Sequence, residues 1–220
     1  MSSLQASIVP LSKILGLNPH ALYERQLALV DAKLLKKRPG RGPGSGTPLS
    51  AETVAELLLS MWATDKIEHC AEKTRALSAV GLTTCTIGRE DALGGAETFK
   101  AAIVNALSND AVVSQINLVR IRRRNFASEI WLNSNEPWEE PPAGKIFTAY
   151  ELQLAEDQVH FFRPKKETNA DRGGVAVIVE VNGPTLEKIR TLLRSAEVAA
   201  AKAAEQKNAA RKPKSKDGRK

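Results

Sequence analysis

Two groups of side chains have the types and spacing to do chemistry on a partner. Asn18, His20, Glu24 and Arg25 bring an amide, an imidazole, a carboxylate and a guanidinium into one short stretch, a set that can donate to and accept from the edges of bases. Lys36, Lys37, Arg38 and Arg41 follow among Pro39, Gly40, Gly42, Pro43, Gly44 and Gly46. Cations on so flexible a segment have phosphate as their natural counterpart.

Catalytic patterns are weaker. His20, His69 and His160 form no HExxH or HxH pair, no serine sits in GxSxG, and Gly94-Gly95 belongs to neither a phosphate-binding loop nor a GxGxxG turn. Cys70 and Cys85 make no CxxC and with His69 supply at most three ligands, which points to free, buried thiols. Glu139-Glu140, in NSNEPWEEPPAG beside Trp138, reads as a surface loop, because neighbouring carboxylates on a loop lack the fixed separation that acid/base work requires. No enzyme, metal or cofactor is expected.

The elements that must position the first two groups can be read in order. Leu11, Ile14 and Leu15 recur at helical spacing and Gly16 closes that helix. Before it, Gln5 to Val9 could begin a first helix that Pro10 interrupts. Asn18 and Pro19 are an N-cap and a first-turn proline, so a second helix is expected over 19–34. At 100° per residue, Tyr23, Leu27, Val30 and Leu34 fall in one stripe, expected to pack; His20, Glu24, Arg25, Ala28 and Asp31 lie opposite, expected to face a partner.

Helix, tight turn, helix and basic hairpin is the order of a winged helix-turn-helix. From Leu11 to Gly42 the chain resembles the DNA-binding domain of GntR-type regulators, with LSKILGLNPHAL as the helix-turn-helix and LVDAKLLKKRPGRG as helix end and wing. It departs where Lys33 replaces a favoured glycine and where PGSGTPLS replaces an apolar wing strand. A second resemblance, to MerR-type domains, rests on Tyr23-Glu24-Arg25 and the helix from Leu49 to Trp62; it needs an insertion and ranks lower.

Ser50 can cap a helix from Ala51 to Trp62, with Val54, Leu57, Leu58 and Met61 on one face. Another is expected over 66–80, with Ile67, Cys70, Thr74, Leu77 and Val80 inward, ended by Gly81. Leu82 to Gly95 reads as an irregular boundary, and a helix with Phe99, Ile103 and Leu107 on one side follows over 96–107. Runs at 115–132, 145–154, 158–163 and 174–181 change to strand character, the first with a bend or bulge near Arg124-Asn125. Pro184-Thr185 then open a helix carrying Leu186, Ile189, Leu192 and Leu193. The expected fold is α+β: a mainly helical winged helix-turn-helix head (1–80), a small antiparallel-sheet α+β unit with a C-terminal helix (85–195), and a basic, largely disordered tail (196–220).

Charge is polarised. Lys and Arg outnumber acids by 7 to 2 over residues 1–50 and by 8 to 2 over 201–220, while 51–110 holds 5 against 9 and 111–200 is balanced at 12 each. A basic head and tail suit a protein that docks one end on nucleic acid. Arg120, Arg122 and Arg124 would share a strand face, matching either phosphates or, more in keeping with this neutral region, glutamates on neighbouring strands. With no apolar run of membrane-spanning length and no signal-like N-terminus, a cytoplasmic protein is expected.

The function expected is sequence-specific binding of double-stranded DNA, in a transcriptional regulator acting as a homodimer. Helix 19–34 would enter the major groove, with Asn18, His20, Glu24 and Arg25 near bases and phosphate; Lys36, Lys37, Arg38 and Arg41 would hold the backbone. Two alternatives are a phage-like or mobile-element DNA-packaging oligomer, and a protein-interaction module in which the α+β unit, with Trp131, Trp138 and the acidic loop, binds a protein partner.

Overall fold

The structure is a computed structural model that describes residues 3–40, 46–84, 92–132, 159–163 and 177–210. Helices α1 (Leu4–Leu15) and α2 (Pro19–Asp31) lead, followed by α3 (Ala51–Ala63), a 3-10 turn (Ile67–His69), α4 (Cys70–Ser78) and strand β1 (Gly81–Thr84). Then come α5 (Phe99–Ser108), α6 (Asp110–Val113), β2 (Ile116–Arg122), β3 (Ala127–Leu132), β4 (Val159–Arg163), β5 (Ile178–Asn182) and α7 (Gly183–Ala210). The five strands form one sheet in the order β1-β4-β3-β2-β5, every neighbouring pair antiparallel. This is the expected α+β class.

Helix α3 lies at the centre. Ser50 and Thr53 form a reciprocal capping box at its start, and Val54, Leu57, Leu58, Leu59 and Trp62 are all buried, so it is apolar around most of its circumference. Even Glu56, 2% exposed, is held inside, with Lys100 Nζ at 2.7 Å from Oε2. Trp62 meets Phe99 of α5 at a ring-centroid distance of 6.4 Å. The apolar face of the sheet, with Val119, Ile121, Ile130 and Val181, joins Leu186, Ile189 and Leu193 of α7 in the same cluster.

That cluster corrects the expected division at residues 80–85. It runs without a break from Leu4 through Trp62 and Phe99 to Leu193, so 1–80 and 85–195 do not have separate cores. Other corrections are local. Helix α1 passes through Pro10, because Leu4, Ile8 and Leu11 are buried on both sides of it, and each such burial, at about 1.5–3 kcal/mol, helps offset the roughly 3 kcal/mol of an interior proline.

The long expected strand at 115–132 is a hairpin. The chain reverses between β2 and β3, at the place where a bend was expected, with Phe126 in the left-handed region at φ 55°. β1 lies where an irregular boundary was expected, and Gly81 opens it instead of merely ending a helix. The expected strand at 145–154 lies outside the described residues.

Helix α7 shows why its N-terminus must be glycine and why its C-terminal half was misread. A Cβ on Gly183 would stand 1.8 Å from the Ile116 carbonyl oxygen, and Asn182 caps the first turn by accepting from Thr185 N at 3.0 Å. The helix then continues for 28 residues, about 42 Å at 1.5 Å per residue. Residues 196–210 are therefore helical, not part of a disordered tail; their alanine content favours helix even with the side chains of 201–206 exposed. Residues 211–220 lie outside the described part. No described helix is long and apolar enough to cross a membrane.

Candidate nucleic-acid interface

The α1–α2 corner forms as its sequence dictates. Gly16 sits at φ 66°, a left-handed conformation open to a residue without Cβ, and Leu17 N returns to Ser12 O at 2.9 Å. Asn18 Oδ1 accepts from His20 N at 2.8 Å, and Pro19 takes the first helical position. Two helices thus meet across a short turn, with the start of α2 exposed.

The face of α2 is where the structure departs from expectation. Leu22, Arg25, Gln26 and Leu29 are buried, while Leu27 is 43% exposed; Tyr23, Val30 and Leu34 are half-buried. The inward stripe is rotated relative to the one expected, because 22/26/29 and 23/27/30 both satisfy helical spacing. What selects the first is Arg25. Its Nη1 donates to Ser60 O at 2.7 Å and its Nη2 to Asp65 O at 2.9 Å.

Arg25 is therefore removed from the outward set. At 8% exposure its guanidinium serves the C-terminus of α3, where carbonyls lack helical partners and the helix dipole favours a cation. Arg123, from the β2–β3 turn, completes this cap: Nε donates to Trp62 O and Nη2 to Met61 O, each at 2.9 Å. Sequence reading missed Arg123 because its acceptors lie on an element some sixty residues earlier.

His20 and Glu24 do face outward, their side chains 74% and 48% exposed, with Nδ1 and Oε1 3.5 Å apart. Ala21, Leu27 and Asp31 share this side. Positive charge is thus absent from the exposed face of α2 and gathers just beyond it.

The helix ends in a Schellman motif: Leu34 N bonds Leu29 O at 2.9 Å and Lys33 N bonds Val30 O at 3.0 Å. Lys33 takes the left-handed position at φ 59°, a place at a helix end usually held by glycine. Leu35 is buried, and Lys36, Lys37 and Arg38 are exposed.

Arg38 and Gly46 then pair as an antiparallel bridge, with N–H to O distances of 3.0 and 3.1 Å. The returning leg is tied to the start of α1 by Leu4 N to Thr47 O at 2.9 Å. The base of a hairpin is fixed on both sides; residues 41–45, and with them Arg41, lie outside the described residues.

Two other expected features resolve. On the outer face of the sheet, Arg120 Nε donates to Glu180 at 2.7 Å and Arg122 Nη2 to Glu129 at 3.1 Å, and the Arg120 guanidinium lies 5.3 Å from the Trp131 ring centroid. Burial alone would lower the Arg120 pKa, yet the hydrogen bond and charge of Glu180, with Glu129, leave it raised. These arginines face cross-strand carboxylates, as expected of a neutral sheet. Cys70 is a free, buried thiol; Cys85 lies outside the described residues.

Comparison of the chain with protein-family models, with curated proteins and with solved structures finds no match. The functional reading therefore rests on geometry.

Proposed function

We propose that this protein binds double-stranded DNA in a sequence-specific way, through the α1–α2 corner and the hairpin that follows it. The observation that carries the reading is the Arg38–Gly46 bridge. It sets a cation-bearing hairpin directly after a helix whose N-terminal face, Asn18, His20 and Glu24, is exposed. Glu24 can accept from a cytosine amino group, and Asn18 keeps its amide N–H groups for a base or phosphate while its oxygen caps α2. Lys36, Lys37 and Arg38 supply the phosphate contacts that α2 itself lacks.

One such head makes few base contacts, so a homodimer on two half-sites, in the manner of a transcriptional regulator, fits the reading. Random-pool selection with the full-length protein tests it and is expected to enrich a motif. Replacing Lys36 and Lys37 together by Ala is expected to weaken binding to all sequences alike and to lower the slope of log affinity against log salt by about 2. Glu24→Ala is expected to relax preference at one base pair instead. Failure to enrich any motif, together with an unchanged salt slope, sinks the proposal.

A further inference from the structure

The sheet ends at β5, which pairs with β2 alone. Arg123 N donates to Val177 O at 3.0 Å, which puts the backbone groups of Val177, Val179 and Val181 on the β2 side. Antiparallel alternation then directs the N–H and C=O groups of Ile178 and Glu180 to the free edge. Among the described residues those groups have no hydrogen-bond partner.

Nothing in the strand guards this edge. It has no proline or lysine, its pairing with β2 runs without a bulge, and its one charge, Glu180, is taken up by Arg120. The side chains beside it are apolar. Val177 and Ile178 are 46% and 51% exposed, and Leu17 of the α1–α2 turn, which borders the same cleft as Val179 and Val181, is 44% exposed. Unpaired backbone groups in this pattern are satisfied by another strand, and the sequence of β5 is complementary to its own image.

We propose that β5 pairs antiparallel with β5 of a second copy about a two-fold axis at Val179, joining the two sheets into one. In that register Ile178 and Glu180 of each copy exchange backbone hydrogen bonds with Glu180 and Ile178 of the other. The inner-face pairs are Val177 with Val181 and Val179 with Val179, all β-branched. Glu180 meets Ile178, whereas an axis at Glu180 would set two carboxylates directly opposite, which opposes pairing. A two-fold contact of this kind closes after two copies. It supplies the interface of the homodimer proposed above and rests on that reading for its purpose, while the pairing itself needs no DNA.

Sedimentation velocity of the DNA-free, full-length protein from about 1 to 100 μM is expected to show a monomer–dimer equilibrium, with a midpoint on the order of 10 μM as suits a small interface. Ile178→Pro removes an edge N–H that the monomer does not use and should raise that midpoint at least about tenfold with the circular dichroism spectrum unchanged. Under oxidising conditions Val179→Cys should give a disulfide-linked dimer, because residues facing each other at a non-hydrogen-bonded position have Cα atoms about 4.5 Å apart. Ile178→Cys should not, since its image lies two residues out of register at about 7–8 Å. A monomer throughout that concentration range, an unshifted midpoint in Ile178→Pro, or no more cross-linking by Val179→Cys than by Ile178→Cys and the natural chain overturns the proposal. A monomer that still enriches a DNA motif overturns the edge and leaves DNA binding standing; a dimer through Val179 that enriches none supports the edge and sinks the DNA reading.

Discussion

Arg123 and Asp65 form a two-pronged ion pair across 58 residues of chain, with Nη2 2.8 Å from Oδ1 and Nη1 against Oδ2. The same guanidinium caps α3, so the β2–β3 turn is fastened to the end of the central helix. Arg25 reaches that end from α2 through the Ser60 and Asp65 carbonyls. The α1–α2 pair, the central helix and the sheet are thereby joined at one point.

Arg123→Ala should be among the more destabilising substitutions at a polar position, costing about 2–3 kcal/mol. It leaves the Met61 and Trp62 carbonyls and the Asp65 carboxylate without their donor, and hydrogen bonds to charged groups contribute about 1.5–3 kcal/mol. Arg123→Lys should recover less than half, because one ammonium cannot span the same acceptors. Urea midpoints of the three proteins at neutral pH measure this; a loss under about 0.5 kcal/mol for Ala would show that the cap is dispensable.

Asp65 also sets an acid limb of stability. The hydrogen bond from Arg123 is the largest influence on its carboxyl, opposed by partial burial and assisted by the charges of Arg123 and Arg25, and the pKa falls below the ordinary 3.8. A folded-state pKa below the unfolded one means that the contribution is present above about 3.8 and is lost as pH drops from there through the folded value. The side chain is 82% exposed, so screening keeps the effect small. Stability of Asp65→Asn, followed by denaturation from pH 2 to 7, should fall less steeply below pH 4 than that of the natural chain; identical curves would assign the acid limb elsewhere.

Lys33→Gly should stabilise the protein by about 0.5–1 kcal/mol. Lys33 holds φ 59°, where a Cβ costs roughly 1–2 kcal/mol, a gain partly offset by the greater unfolded-state freedom of glycine. Thermal melting reads the shift, and a lower melting temperature would mean that the lysine side chain stabilises the Schellman turn by more than its backbone costs.

Gly183→Ala should do the reverse, at about 3 kcal/mol or more. The added methyl meets the Ile116 carbonyl oxygen, a backbone atom of β2 that cannot turn aside as a side chain can. Circular dichroism with urea unfolding tests this, and a loss below about 1 kcal/mol would show that α7 can shift away from β2 at little cost.

What the sequence determined by itself is the set of features written in local chemistry. Gly16, Asn18-Pro19, Ser50 and Pro184-Thr185 each mark a helix boundary within a few residues, because capping is decided by groups two or three positions apart. The antiparallel sheet and the pairing of Arg120 and Arg122 with glutamates follow from period-two runs in a region of balanced charge.

Tertiary structure decided the rest. Which of two equally spaced stripes of α2 turns inward was settled by the α3 carbonyls that receive Arg25, and no local pattern records an acceptor 35 residues away. The continuity of the core across residues 80–85 was settled by Trp62 meeting Phe99 and by α7 returning to the sheet. The passage of α1 through Pro10 was settled by the burial of Leu4, Ile8 and Leu11. Each depends on surface removed from water by distant parts of the chain, a free energy that exists only once those parts have met.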